Sequence, residues 1–239
     1  MKMRYKAIIF DLDNTLLDYS QSERSCMQQA LEDYRLHEEL TWEEFWSTFG
    51  PINFNYWMNR IQNNHDIRQV LEHSFMDTFL GLKREFTQCR EISETYWGLF
   101  CSSNHMEPHA DLILEHLHGD FALGVISNGI GEAQRKRLAA GGLFHYFDSF
   151  IISDEVKCWK PDPQIFELAL QELALSPDEV LYIGDSLTDD YEGAVRSGID
   201  FCYYNRRDTP LNDHHRPAYV IRDLLEIKDL ANDGTRRTT

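Results

Sequence analysis

Five short apolar runs, at residues 7–10, 121–126, 149–152, 180–183 and 201–204, are each followed directly by polar or glycine-rich residues. Runs of four to six apolar residues are too short for core helices. They read as strands buried on both faces, which is the signature of a parallel sheet. Between them, residues 132–140, 163–173 and 189–197 carry apolar side chains at three- and four-residue spacing, the period of amphipathic helices. Strand and helix alternate, so the expected fold class is α/β: a doubly wound, Rossmann-like parallel sheet with helices on both faces.

The alternation is interrupted once, where strands vanish across residues 19–101 and Glu, Gln, Leu, Trp and Phe recur at helical periods. This interval reads as an inserted all-helical domain. Within it LTWEEFWSTF and DIRQVLEHSFMDTFLGL have amphipathic spacing, and Gly50-Pro51 and Gln62-Asn63-Asn64 mark expected breaks between helices. The expected organisation is therefore an α/β core made of residues 1–18 and 102–230, a helical insertion at 19–101, and a disordered tail at 231–239 that has no apolar residue after Ala231.

Composition narrows the function classes. With 42% hydrophobic and 26% charged residues in a chain of 239, a substantial core is expected. The formal charge of -17 repels a polyanion, so a nucleic acid polymer is not an expected partner. A small phosphorylated ligand is compatible with that charge, because a bound cation reverses the field locally. The five cysteines are scattered without a CxxC pair, which indicates neither a disulfide framework nor a zinc site and suits a reducing cytoplasm. The apolar stretch near the N-terminus is too short for a signal sequence, and no run is long enough to span a bilayer, so no membrane association is expected.

Four segments carry the chemistry. Asp11-Leu12-Asp13-Asn14-Thr15 follows the apolar run AIIF. In open α/β sheets the carboxyl ends of strands form the binding crevice, and paired carboxylates there are costly unless a cation serves them. Mg²⁺, which takes oxygen ligands, fits that need. The competing reading of the same residues is a turn or a helix cap. Gly184-Asp185-Ser186, with Asp189 and Asp190, follows the run VLYI and offers a second acidic strand end, one aspartate serving as a helix cap on the bland reading. Ser127-Asn128-Gly129 closes a third strand with a hydroxyl and free backbone N–H groups suited to phosphate oxygens, although Ser-Asn-Gly alone is an ordinary turn. Lys160-Pro161-Asp162-Pro163 sets a cation at the start of a helix.

Taken in order, DLDNT, SNG, KPDPxIF and GDSLTDD resemble the haloacid dehalogenase-like hydrolase superfamily across residues 6–204. The resemblance implies that Asp11 attacks phosphorus and that Asp13 protonates the leaving alkoxide and later activates water. It implies Ser127, with backbone N–H of Asn128 or Gly129, and Lys160 as phosphate binders. Mg²⁺ would be held by the Asp11 carboxylate, the Asp13 carbonyl and Asp185. Asp190 or Asp189 would orient Lys160 or a metal-bound water, and Thr15 would steady the Asp11 loop. Asp13 argues against the dehalogenase subclass, which has no alkoxide to protonate, and Asn14-Thr15 argues against phosphohexomutases.

More narrowly, DLDNTLLDY, SNGIGEAQRKRLAAGGLFHYFDSFIISDEV and KPDPQIFELAL are similar to the pyrimidine 5'-nucleotidases of the YjjG/YfnB type. That implies hydrolysis of a nucleoside monophosphate by a cytoplasmic monomer or homodimer, with the helical insertion as a specificity-setting cap. Phe54, Tyr56 and Trp57 are placed either to stack on a base or simply to pack. The alternatives are a phosphatase for another small metabolite, such as a sugar phosphate or phosphoglycolate, and a non-catalytic binding protein on the same fold.

Overall fold

The structure, a computed structural model, describes residues 5–232. Strand β1 (Ala7–Phe10) is followed by helices α1 (Tyr19–Asp33), α2 (Trp42–Asn59), α3 (Ile67–Gly81), α4 (Cys89–Ser102) and α5 (Ala110–Leu117). Then come β2 (Ala122–Ser127), α6 (Gly131–Ala140), β3 (Ser149–Ile152), α7 (Ser153–Val156) and α8 (Pro163–Leu173). The chain continues through β4 (Val180–Gly184), α9 (Glu192–Arg196), β5 (Asp200–Tyr204), β6 (Tyr219–Ile221) and α10 (Ile227–Asn232). Apart from Ala231 and Asn232, which end α10, the tail expected at 231–239 lies outside the described residues.

All six strands pair in parallel, in the order β3-β2-β1-β4-β5-β6. This is the doubly wound, Rossmann-like arrangement, in which the strand order reverses beside β1 and a crevice opens at the carboxyl ends. Alternate side chains divide between the two faces. Ile8 and Phe10 of β1 pack with Ile113 and Leu117 of α5 and Ile227 of α10. Ala7 and Ile9 join Tyr182 of β4 and Ile165 and Phe166 of α8 on the other side. Every residue of β1 and β4 is buried, which is why these strands read as unbroken apolar runs.

The chain divides into two compact units, one formed by the segments up to Ser20 and from Asn104 onward, the other by Gln21–Ser103. In the second unit, α2 and α3 each begin with a capping box, Thr41 with Glu44 and Asp66 with Gln69, which satisfies otherwise orphaned N–H groups. Phe45 and Phe49 of α2 pack against Phe75 of α3, with ring centroids 6.0 and 5.0 Å apart. Truncating one such buried phenylalanine costs about 3–5 kcal/mol.

Gly50-Pro51 corrects the sequence reading: it lies inside α2 and breaks nothing. The proline removes one N–H donor, but Phe45 and Phe49 before it and the Tyr56–Asp77 hydrogen bond of 2.7 Å after it hold both halves of α2 against α3. The expected helix at 189–197 also differs. A wide π-type turn, Leu187–Tyr191, precedes α9 and carries Asp189 and Asp190.

Candidate active site

The DLDNT turn starts where β1 ends. Asn14 adopts φ 61°, a left-handed conformation that asparagine tolerates better than most residues. Its side-chain oxygen accepts from the Ser20 backbone N–H at 3.4 Å. Thr15 donates its hydroxyl to Asp11 Oδ2 at 3.3 Å, so the turn fixes its own first carboxylate.

Asp11 faces a buried ammonium. Lys160 Nζ donates to Asp11 Oδ1 at 2.5 Å and to Asp190 Oδ1 at 2.7 Å, and lies 3.1 Å from both the Ile126 carbonyl and the Tyr182 hydroxyl. Asp190, rather than Asp189, is the aspartate that meets Lys160. Gly184 is required for this approach: a Cβ there would stand 2.3 Å from Asp190 Oδ2.

Two loops are locked together behind the ammonium. Asn128 Nδ2 donates to the Lys160 carbonyl at 2.9 Å, and Asn128 Oδ1 accepts from the Lys160 N–H at 2.8 Å. Its side chain thereby ties the end of β2 to the Lys160 segment. Ser127, the last residue of β2, sits beside it and accepts from Gln134 Nε2 at 2.8 Å.

Oxygens of Asp11, Asp185 and Asp190 all lie within 4.8 Å of one another. Burial raises the Asp11 carboxyl well above the usual carboxylate range; Lys160 pulls it down, while Asp190 and Asp185 push it further up. Burial opposes the charge on Lys160, but Asp11 and Asp190 outweigh it and keep the ammonium protonated. Asp185 is pushed up to about 7, by burial first and Asp190 second. When all three carboxylates are ionised, they leave two negative charges beside one ammonium, the complement of one divalent cation. The all-oxygen donor set fits a hard ion such as Mg²⁺.

Asp13 is placed differently from Asp11. Its carboxylate accepts from Arg137 Nη1 at 2.6 Å through Oδ1 and from Gln134 Nε2 at 2.7 Å through Oδ2, both on α6. The structure therefore brings together Asp11, Lys160, Asp185 and Asp190, and joins Ser127 and Asp13 through the one amide nitrogen of Gln134. Sequence reading missed Gln134, Arg137 and Tyr182. The one available signal was two long polar residues at a three-residue spacing beside Leu138, on the face of α6 that the helix buries.

A six-stranded parallel sheet with an acidic crevice at its carboxyl ends defines a Rossmann-like α/β protein. Within that class the chain belongs to the haloacid dehalogenase-like hydrolase family, whose profile matches residues 8–204. It is 29% identical over 236 residues to pyrimidine 5'-nucleotidase PynA of Streptococcus pneumoniae, covering 95% of this chain and 96% of that one. It is 28% identical to pyrimidine 5'-nucleotidase YjjG of Escherichia coli, covering 95% and 98%. The crystal structure of the putative HAD-hydrolase YfnB from Bacillus subtilis bound to magnesium superposes with a TM-score of 0.80 at 26% identity, covering 96% of this chain and 100% of that one.

Proposed function

We propose that the protein is a Mg²⁺-dependent phosphomonoesterase that hydrolyses a pyrimidine nucleoside 5'-monophosphate through a phosphorylated Asp11. The observation that carries this reading is the Lys160 ammonium wedged between Asp11 and Asp190 beside Asp185. An anionic nucleophile approaches an anionic phosphate only where positive charge offsets the repulsion.

Asp11 Oδ attacks phosphorus in line and the bond to the ester oxygen breaks. Asp13 gives its proton to the departing alkoxide. Water then attacks the aspartyl-phosphate and passes a proton to Asp13, the phosphorus–Asp11 bond breaks, and inorganic phosphate leaves. Lys160, the Ser127 hydroxyl and the backbone N–H of Asn128 and Gly129 hold the phosphoryl oxygens. Thr15 keeps Asp11 aimed. Asp11 and Asp185, with the Asp13 carbonyl, are the metal ligands in this reading, and Asp190 orients Lys160. Bound Mg²⁺ supplies charge neutralisation at the phosphoryl oxygens.

The names of two relatives at 28–29% identity support the nucleotide substrate. The helical unit Gln21–Ser103 supplies selectivity in this reading. Phe54 is exposed there, whereas one face of the half-buried Trp57 ring is covered by Arg60 at 3.5 Å. A cytoplasmic location agrees with five buried cysteines that form no disulfide, and no helix among the described residues is long and apolar enough to cross a membrane.

A panel of nucleoside monophosphates, sugar phosphates and phosphoglycolate, assayed for phosphate release with and without Mg²⁺, tests the reading. Preference for pyrimidine monophosphates with loss of turnover in chelator is expected. Preference for a non-nucleotide ester removes the substrate assignment, and failure to hydrolyse any ester removes the phosphatase itself.

A further inference from the structure

Gln134 is fully buried and touches the two groups that the proposed chemistry uses separately. Its Nε2 donates to Ser127 Oγ at 2.8 Å and to Asp13 Oδ2 at 2.7 Å, so both amide protons are spent. Its Oε1 accepts from Arg137 Nη1 at 3.1 Å. The amide orientation is fixed by Arg137, because a guanidinium can only donate and so must face the amide oxygen. Arg137 Nη1 also donates to Asp13 Oδ1 at 2.6 Å and so closes a ring of Asp13, Arg137 and Gln134. Space for this ring depends on Gly129, where a Cβ would lie 2.3 Å from Gln134 Nε2 and 2.7 Å from its Cδ.

We propose that Gln134 is a positioning residue that sets two functions at once: it turns the Ser127 hydroxyl proton toward the phosphoryl group and holds the Asp13 carboxyl at the leaving-group side. The inference rests on the roles given above to Ser127 and Asp13. Ser127 Oγ accepts a hydrogen bond from the amide, so its own O–H is left to donate outward. Asp13, held by Gln134 on one oxygen and Arg137 on the other, loses half of its restraint when the amide is removed, and a mispositioned acid transfers its proton less often as the ester bond breaks.

The consequence is specific to the leaving group. An alkyl phosphate expels a strongly basic alkoxide and needs the proton. A nitrophenyl phosphate expels a weakly basic phenolate and does not. Comparing kcat/KM for the two esters isolates the phosphorylation step, and the ratio cancels general damage to the site that a purely structural role would cause.

In Gln134→Met, matched in length but without donors, the alkyl-to-aryl ratio of kcat/KM is expected to fall about tenfold or more, a part of the range that general acid catalysis supplies. Inhibition by inorganic phosphate, which reads the Ser127 hydroxyl, weakens in the same variant. If Gln134→Met does not fold, Gln134→Glu, which keeps size and polarity but places acceptors against acceptors, gives the same ratio. An unchanged ratio in the folded variant overturns the proposal while leaving the phosphatase reading intact. A wild-type protein that hydrolyses neither ester overturns both.

Discussion

The Tyr182 hydroxyl donates to Asp190 Oδ1 at 2.9 Å, beneath the same ammonium that Asp190 shares with Asp11. Tyr182 belongs to β4 and Asp190 to the turn that follows it, so the strand itself braces the carboxylate that braces Lys160. Burial, with Asp190 and Asp11 next, holds the phenol well above its usual range and keeps it a donor. Tyr182→Phe removes one bond to a buried carboxylate while preserving the ring that packs on Phe166 at 5.1 Å. A loss of about 1–3 kcal/mol in urea unfolding is expected, with reduced kcat on phosphomonoesters as Lys160 loosens. Wild-type stability and kcat in this variant would remove Tyr182 from the account.

A second buried carboxylate depends on a loop. Glu107 lies between Arg206 Nη1, with which it forms an ion pair, and the Tyr204 hydroxyl at 3.2 Å, and Arg206 Nη2 also reaches Asp18 Oδ2 at 3.4 Å. Burial and then Asp18 raise the Glu107 carboxyl, and Arg206 opposes them. Arg206→Met leaves Glu107 buried beside Asp18 without its cation, a change that costs about 3–5 kcal/mol. Chemical denaturation checks this, and adding Glu107→Gln to Arg206→Met is expected to recover part of the loss. A double variant no more stable than Arg206→Met contradicts the assignment.

Stability of the metal-free protein is expected to depend on Asp185. Its folded carboxyl is pushed up to about 7, against about 3.9 in an unfolded chain. Between those values the folded state holds a proton that the unfolded state has released. The group therefore stabilises the fold at low pH, and this contribution is lost as pH rises toward about 7, at up to about 1.4 kcal/mol per pH unit. Melting in chelator, compared between wild type and Asp185→Asn, isolates the effect: the stability of wild type relative to Asp185→Asn falls between about pH 4 and about pH 7. Mg²⁺ binding, which needs the ionised form, strengthens over the same interval. A difference between the two proteins that is flat with pH would contradict it.

Much of the fold was legible because β1 to β5 are buried on both faces and write themselves as apolar runs. β6 escaped because it is a three-residue edge strand in which Ile221 is buried but Val220 is exposed, too short a run to stand out as apolar. The strand-end acids and the lysine were legible for a related reason: each follows a strand or opens a helix, where local sequence dictates position. Gln134 and Arg137 were not. Their partner Asp13 is 121 and 124 residues away, and only the pairing of β1 with β2 in the folded sheet brings α6 beside the DLDNT turn. Gly50-Pro51 misled because local breaker chemistry was outweighed by aromatic packing between α2 and α3.

The most direct measurement is the location of a phosphoryl group after rapid acid quench with a phosphate-labelled pyrimidine monophosphate and Mg²⁺, followed by peptide mapping. The account predicts label on the peptide containing Asp11, accumulating further in Asp13→Asn and absent with loss of turnover in Asp11→Asn. Phosphate release that persists in Asp11→Asn, or label that maps to another residue, would contradict it.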